Sequence, residues 1–153
     1  QDLINQFYGG DGMAFVKAYY EAMADLPNWG KFDIVAHFDI ISKNIETHPF
    51  FEPESKEYLS YALGAMEALR GKIPFFEANS GAMARGCRTA PYPALTLMKH
   101  FKEMGFLPVI TSDCHSAPLL DHDFADAAAL LRAYGFTEKY VLTDRGFTAV
   151  PLD

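Results

Sequence analysis

Positive charge is scarce in this chain and nowhere concentrated. Thirteen Lys and Arg face twenty Asp and Glu, a formal net charge of −7, and no basic run offers a footprint for a phosphodiester backbone. Nucleic acid is therefore not expected as a main partner. A phosphate monoester stays compatible with the acidic balance, because its binding depends on local cations and metals rather than on total charge. Cysteine is sparse as well: Cys87 and Cys114 are the only two. They form no spaced framework, and reduced thiols in a cytosolic protein are the expectation. No apolar run approaches the roughly 20 residues that span a bilayer. The opening Gln1, Asp2 and Leu3 lack the charged-then-apolar pattern of a signal peptide. A cytoplasmic location with no membrane partner follows as an expectation. The chain does not start with Met, which points to a processed, truncated or excised piece of something longer. Missing too are a Gly-rich phosphate loop, a Ser nucleophile elbow and an HExxH helix.

What the chain does have is material for a core. Half of its 153 residues are hydrophobic and 14% are aromatic, enough for one ordinary domain. No repeat or shift in composition divides 1–153. The pattern alternates helix and strand. Asp11 can cap a first helix whose apolar face carries Val16, Tyr20 and Met23, and which Pro27 and Gly30 end. A strand over 32–38 (FDIVAHF) follows, then a polar loop to Pro53, which suits the first turn of the next helix. That second helix runs to about Arg70 and stops at Gly71. A strand over 73–78 (IPFFEA) leads into a loop rich in small residues and Arg. Pro93 opens a third helix with Leu97, Met98 and Phe101 inward. A strand over 107–111 (LPVIT) precedes a fourth helix, capped by Asp121 or Asp123 and closed by Gly135. Two short strands, 140–143 and 148–150, complete the chain. Short strands separated by helices imply an α/β fold of parallel βα units. Periodicity alone does not choose between an open sheet and part of a barrel.

In either architecture, function collects at the carboxyl ends of the strands. His37 and Asp39 end the first strand, Glu77 and Asn79 the second, Asp113 and His115 the third. Each pair is spaced by two, which places both members on one face of an extended strand. Imidazole and carboxylate are the ligand types of zinc, iron or manganese in a hydrolytic centre. The bland alternatives stay open: Asp113 as a turn cap, and His37 as a buried, backbone-bonded histidine. Asp39 is a candidate to orient His37. Glu77 can be a ligand, a base or a loop acceptor, with Asn79 beside it. Arg85 and Arg88 offer guanidinium forks suited to phosphate, or are solvated loop residues. Lys43 is a further candidate as a point charge. Cys114 alternates away from its neighbours and reads as packing rather than as a nucleophile.

VAHFDIISK, FFEANSGAMARGCRTAPYP and ITSDCH, in that order, resemble the later motifs of the PHP (polymerase and histidinol phosphatase) family, and the likeness continues into LLRAYGF. The long segment from Asn79 to Pro93 resembles its histidinol-phosphate phosphatase branch. The resemblance implies the C-terminal part of a distorted (β/α)7 barrel with up to three divalent metals (Zn, Mn or Fe) at its mouth. It implies hydrolysis of L-histidinol phosphate in histidine biosynthesis, with His37, Asp113 and His115 at metal-ligand positions. Asp113 and His115 would be the catalytic pair, Arg85 a phosphate contact, and Lys43 and Arg88 further ones. The family's opening H-x-H strand and several later ligands have no counterpart here. The missing part would come from a separate fragment or a swapped partner chain, or not be supplied at all, in which case this piece would hold no metal. Two other readings are open: the same fold acting on nucleotides or other phosphoesters, and a non-catalytic assembly or regulatory module.

Overall fold

Three short parallel strands, in the order β1-β2-β3, form the sheet in a computed structural model that describes residues 2–86 and 88–152. Cys87 lies outside the described residues, and with it the reading of its thiol. Helix α1, Asp2–Tyr8, precedes the capped helix and has no counterpart in the sequence pattern. Helix α2, Gly12–Trp29, starts as expected: the Asp11 carboxylate accepts hydrogen bonds from the backbone N–H groups of Met13 and Ala14 at 2.9 and 3.0 Å. It runs through Pro27 instead of stopping there, and Gly30 follows its last residue. Helix α3, Lys56–Leu69, is capped by Ser55 rather than opened by Pro53, with Ser55 Oγ accepting from Tyr58 N. One tyrosine from each helix ties it to α2. Tyr58 and Tyr20 are buried, and their hydroxyls lie 2.9 Å apart.

Strand β1 contracts to Ile34–Val35, where the sequence suggests seven extended residues. The cause is local: His37 has φ +48°, a left-handed turn that ends the extended run. β2, Phe75–Asn79, is buried along its whole length, and β3, Leu107–Thr111, pairs with it residue for residue. Between them lie a short helix α4, Gly81–Ala84, which the sequence reading leaves as loop, and α5, Leu95–Glu103. Helix α6, Phe124–Ala133, follows β3; Asp123 precedes it in a left-handed conformation and makes no side-chain cap bond.

The final two strands correct the expectation of parallel units throughout. β4, Glu138–Thr143, and β5, Gly146–Pro151, form an antiparallel hairpin. Only Asp144 and Arg145 connect them, far too few for the crossover that a parallel pair needs. Gly146 takes φ +90° at the turn, a conformation that a residue without Cβ adopts freely. The hairpin is fastened to the sheet by Phe147, which stacks on Phe75 at 4.1 Å between centroids.

The core lies where the helices meet the sheet. Phe101 of α5 stacks on Phe76 of β2 at 4.5 Å and meets Phe38 edge-on at 5.0 Å. Val16, Met66, Leu69, Leu97 and Leu131 belong to it, each fully buried. At roughly 1.5–3 kcal/mol per buried side chain, this cluster anchors the polar strand ends above it. The fold is mixed α/β with a parallel sheet, as the alternation of elements predicts. No helix among the described residues is long and apolar enough to cross a membrane.

Candidate functional site

The sheet delivers its polar residues to one end, but not in the same-face pairs that extended strands would give. Among the described residues, three non-glycine residues have positive φ, and two of them are His37 at +48° and Asp113 at +46°. Each sits just past a strand, where the left-handed turn re-aims the side chain. Such backbone costs about 1–3 kcal/mol and persists only where surrounding contacts impose it. For His37 those contacts are visible. The Tyr19 hydroxyl lies 3.2 and 2.9 Å from the carbonyl oxygens of His37 and Phe38, which share its proton. The His37 backbone N–H donates to Glu77 Oε2 at 3.0 Å.

The turn points the His37 ring across the sheet rather than along its own strand. Its Nδ1 lies 2.6 Å from Glu77 Oε2, and its Nε2 lies 3.5 Å from Asp113 Oδ2. The ring also stacks on Tyr92 at 5.6 Å. Tyr92 is held against the end of β2 by paired backbone hydrogen bonds with Asn79. Asp113 in turn receives Arg85, whose Nη2 donates to Oδ2 at 3.0 Å while Nη1 donates to the Asp113 carbonyl at 2.9 Å. His115 stands outermost, with Nε2 at 3.6 Å from Asp113 Oδ1 and its side chain 70% exposed. Helix α4 brings Arg85 here because Gly81 lets it approach the end of β3. A Cβ at Gly81 would overlap the Ser112 carbonyl oxygen and crowd Asp113 and Arg85.

Beneath this cluster, Glu77 and Asn79 remain on one face of β2, as their spacing predicts, and Thr111 of β3 lies between them. Thr111 Oγ1 donates to Glu77 Oε1 at 2.6 Å and accepts from Asn79 Nδ2 at 3.0 Å. The charges are mutually tuned. The hydrogen bond that His37 donates to Glu77 raises the imidazole's pKa above its ordinary value, against the opposing effect of burial. Burial alone would raise the Glu77 carboxyl, yet the bonds from His37 and Thr111 bring it below the usual value. Asp113 follows the same pattern, with burial overcome by Arg85 and His37.

Other expected residues lie elsewhere. Asp39 does not orient His37; Glu77 does. Because the chain turns at His37, Asp39 points into the interior, where it is fully buried and accepts from the Ala94 N–H at 2.9 Å. Arg88 goes with it rather than with Arg85. Its Nη1 lies 3.8 Å from Asp39 Oδ2 and donates to Ser42 Oγ at 2.6 Å, and its guanidinium covers the Tyr92 ring at 4.6 Å. Lys43 is exposed beyond the 3-10 turn of Ile40–Ser42, and among the described residues its ammonium makes no ion pair. The Cys114 thiol donates to the Ser116 carbonyl. Thr111 and Tyr92 escaped the sequence reading. A β-branched residue at a strand end and an aromatic before proline are ordinary for their settings, and neither carries a signal of its own.

The donor types suit a divalent cation. His37 Nε2 and His115 Nε2 flank the two oxygens of Asp113, and Glu77 backs His37 as a carboxylate commonly backs a ligating histidine. The spacing is that of an ion-pair cluster: among the described residues no three His, Cys, Asp or Glu side chains converge into an enclosing group. A bound ion would therefore need water or further ligands to complete its shell. No protein-family model matches the chain, and no curated protein matches it significantly.

Proposed function

We propose that this chain carries part of the active site of a metal-dependent phosphomonoesterase acting on a small phosphate ester. L-histidinol phosphate is the substrate that the resemblance to the PHP family implies, in a cytoplasmic, histidine-biosynthetic setting. On this reading the three parallel strands belong to a larger (β/α)7 barrel. One observation carries the proposal: at the carboxyl end of the sheet, His37 presents Nε2 to Asp113 while Glu77 holds Nδ1, and Arg85 adds a cation beside them.

In this reading His37, Asp113 and His115 would hold a divalent ion. The ion would supply Lewis-acid stabilisation of charge developing on the phosphoryl oxygens. The chain's own residues do the rest. Glu77 keeps the proton of His37 on Nδ1, so that Nε2 faces the site as a lone pair. Arg85 places positive charge where a phosphoryl group would lie, and its fork matches phosphate geometry. Arg88 acts from below by fixing Asp39 and the Tyr92 ring on which His37 rests.

A second reading has its own support. Arg85 already neutralises Asp113 without any ion, as a purely structural cluster would require. One experiment separates the two. Metal content per chain is determined for the protein and for Asp113→Ala after exposure to Mn, Zn and Fe salts, and phosphate release from L-histidinol phosphate and a nucleotide monophosphate is followed in parallel. Metal retained by the protein and lost from Asp113→Ala supports the phosphoesterase. Folded protein that binds no metal in either form, and releases no phosphate, overturns it for this chain and leaves the non-catalytic module.

A further inference from the structure

Five hydrogen bonds link Gly81 to His37 beneath the site, and the acceptor-only chemistry of an ionised Glu77 sets the direction of those that end on it. The Gly81 backbone N–H can only donate, and it does so to Asn79 Oδ1 at 2.8 Å. The other end of that amide is therefore the NH2 group, which donates to Thr111 Oγ1 at 3.0 Å. With its lone pair engaged from that side, the Thr111 hydroxyl sends its proton to Glu77 Oε1 at 2.6 Å. Glu77 Oε2 then accepts from two His37 donors, the backbone N–H at 3.0 Å and ring Nδ1 at 2.6 Å. A carboxylate that receives a proton donor at each oxygen is held ionised and oriented, so it has no proton to give back to the ring.

From this we infer that Thr111 is a positioning residue: its hydroxyl fixes the tautomer of His37 by keeping Glu77 a pure acceptor. The line starts at a backbone amide of α4, the helix that also delivers Arg85. The same local fold that places the cation thus determines which imidazole nitrogen faces it. Without the Thr111 proton, Glu77 Oε1 loses its donor. The carboxyl is then free to rotate away from Nδ1. The neutral ring, no longer held, can release its Nδ1 proton to solvent and take one from solvent at Nε2, so that it presents Nε2–H to the site. The Asn79 side chain also helps to hold the Glu77 carboxyl down, but by less than Thr111 does, and its NH2 group donates to Thr111 Oγ1. The inference about the tautomer stands on geometry alone; only its consequence for an ion rests on the phosphoesterase reading.

The test compares the protein with Thr111→Val and Thr111→Ser. Ring nitrogen shifts of His37 are read by NMR at a pH where the imidazole is neutral. In the unaltered protein and in Thr111→Ser, Nδ1 should carry the proton and Nε2 should show the shift of a bare nitrogen. Thr111→Val should give averaged shifts from a mixture of tautomers. Identical shifts in Thr111→Val and the unaltered protein overturn the inference. Should the valine variant fail to fold, the unaltered protein decides the matter. Its Thr111 hydroxyl proton should be visible and slow to exchange, and a rapidly exchanging one overturns the relay. Mn or Zn affinity is measured on the same samples, where loss of an orienting partner weakens binding about tenfold or more. A tautomer shift with no metal binding in any variant leaves the relay standing and removes the phosphoesterase reading instead.

Discussion

Replacing Arg88 with Met should destabilise the chain strongly near neutrality and only slightly in mild acid. Asp39 is fully buried, and Arg88 is its only cationic partner among the described residues. Burial pushes the Asp39 carboxyl above its usual range, and the Arg88 charge is the first of the effects that pull it back. Removing one partner of such a pair costs about 3–5 kcal/mol. Protonation sets a ceiling, since Asp39 can neutralise itself instead of standing as a bare buried charge. For a carboxyl whose ordinary pKa is near 3.9, that costs about 4 kcal/mol at about pH 7 and falls by about 1.4 kcal/mol per pH unit. The deficit of Arg88→Met should then be about 3–4 kcal/mol near neutrality and less than half of that two units lower.

The sign agrees with linkage. A carboxyl raised in the folded state contributes stability that is present at low pH and lost as pH rises through its folded value, and loss of Arg88 moves that value higher. Methionine keeps the length of the side chain over Tyr92, so packing changes little. Urea unfolding of the protein, Arg88→Met and the Asp39→Asn/Arg88→Met double variant, over a pH series, measures the effect. The double variant should recover most of the loss near neutrality. A deficit below about 1 kcal/mol that ignores pH would refute the reasoning: Asp39 would already hold a proton beside Arg88, and the guanidinium would be retained for its stacking on Tyr92.

Other expectations are open to direct measurement. Gly81→Ala should lower stability by about 1–3 kcal/mol, as overpacked sites do, because the new methyl meets the Ser112 carbonyl; thermal unfolding reads this, and an unchanged midpoint would mean that α4 is free to move off β3. Stability linked to His37 should be fully present below its ordinary value of 6.5 and fade as pH rises through the higher folded value. Glu77→Gln should flatten that slope, and an equal slope in the variant would show that Glu77 is not its cause. Glu77 and Asp113 act in the opposite sense, since both are lowered in the folded state. Their contribution should disappear as pH falls through their folded values, seen as acid unfolding that Asp113→Asn shifts.

How far the sequence reached differs between fold and site. Helix starts and stops that depend on local chemistry were legible: Asp11 caps α2, and Gly71, Gly105 and Gly135 follow helix ends with positive φ. β3 spans the expected residues because an alternation of helix and strand leaves it little freedom. The spacing of Glu77 and Asn79 also gave their common face, since β2 is extended through both. The same logic failed at His37 and Asp39, where a left-handed residue breaks the two-residue period. Nothing in the sequence of a histidine announces φ +48°; the Tyr19 hydroxyl and Glu77, respectively 18 and 40 residues away, impose it. Arg88 was misplaced for a related reason. A loop containing two arginines says nothing about which of them turns inward, and burial of Asp39 decides it.

The left-handed backbone at His37 and Asp113 also sets these two positions against the rest of the molecule. At most sites, what helps the chain fold and what helps it act are the same substitution. Here they diverge, because glycine would relieve conformational strain of the order of 1–3 kcal/mol while deleting the imidazole or the carboxylate. A library selected only for soluble abundance should enrich glycine and asparagine at both positions, whereas one selected for the activity should refuse them. Any lineage that ceased to need the site would be under a standing pull to erase it. On the phosphoesterase reading, His37 and Asp113 would be residues kept despite the cost of their backbone.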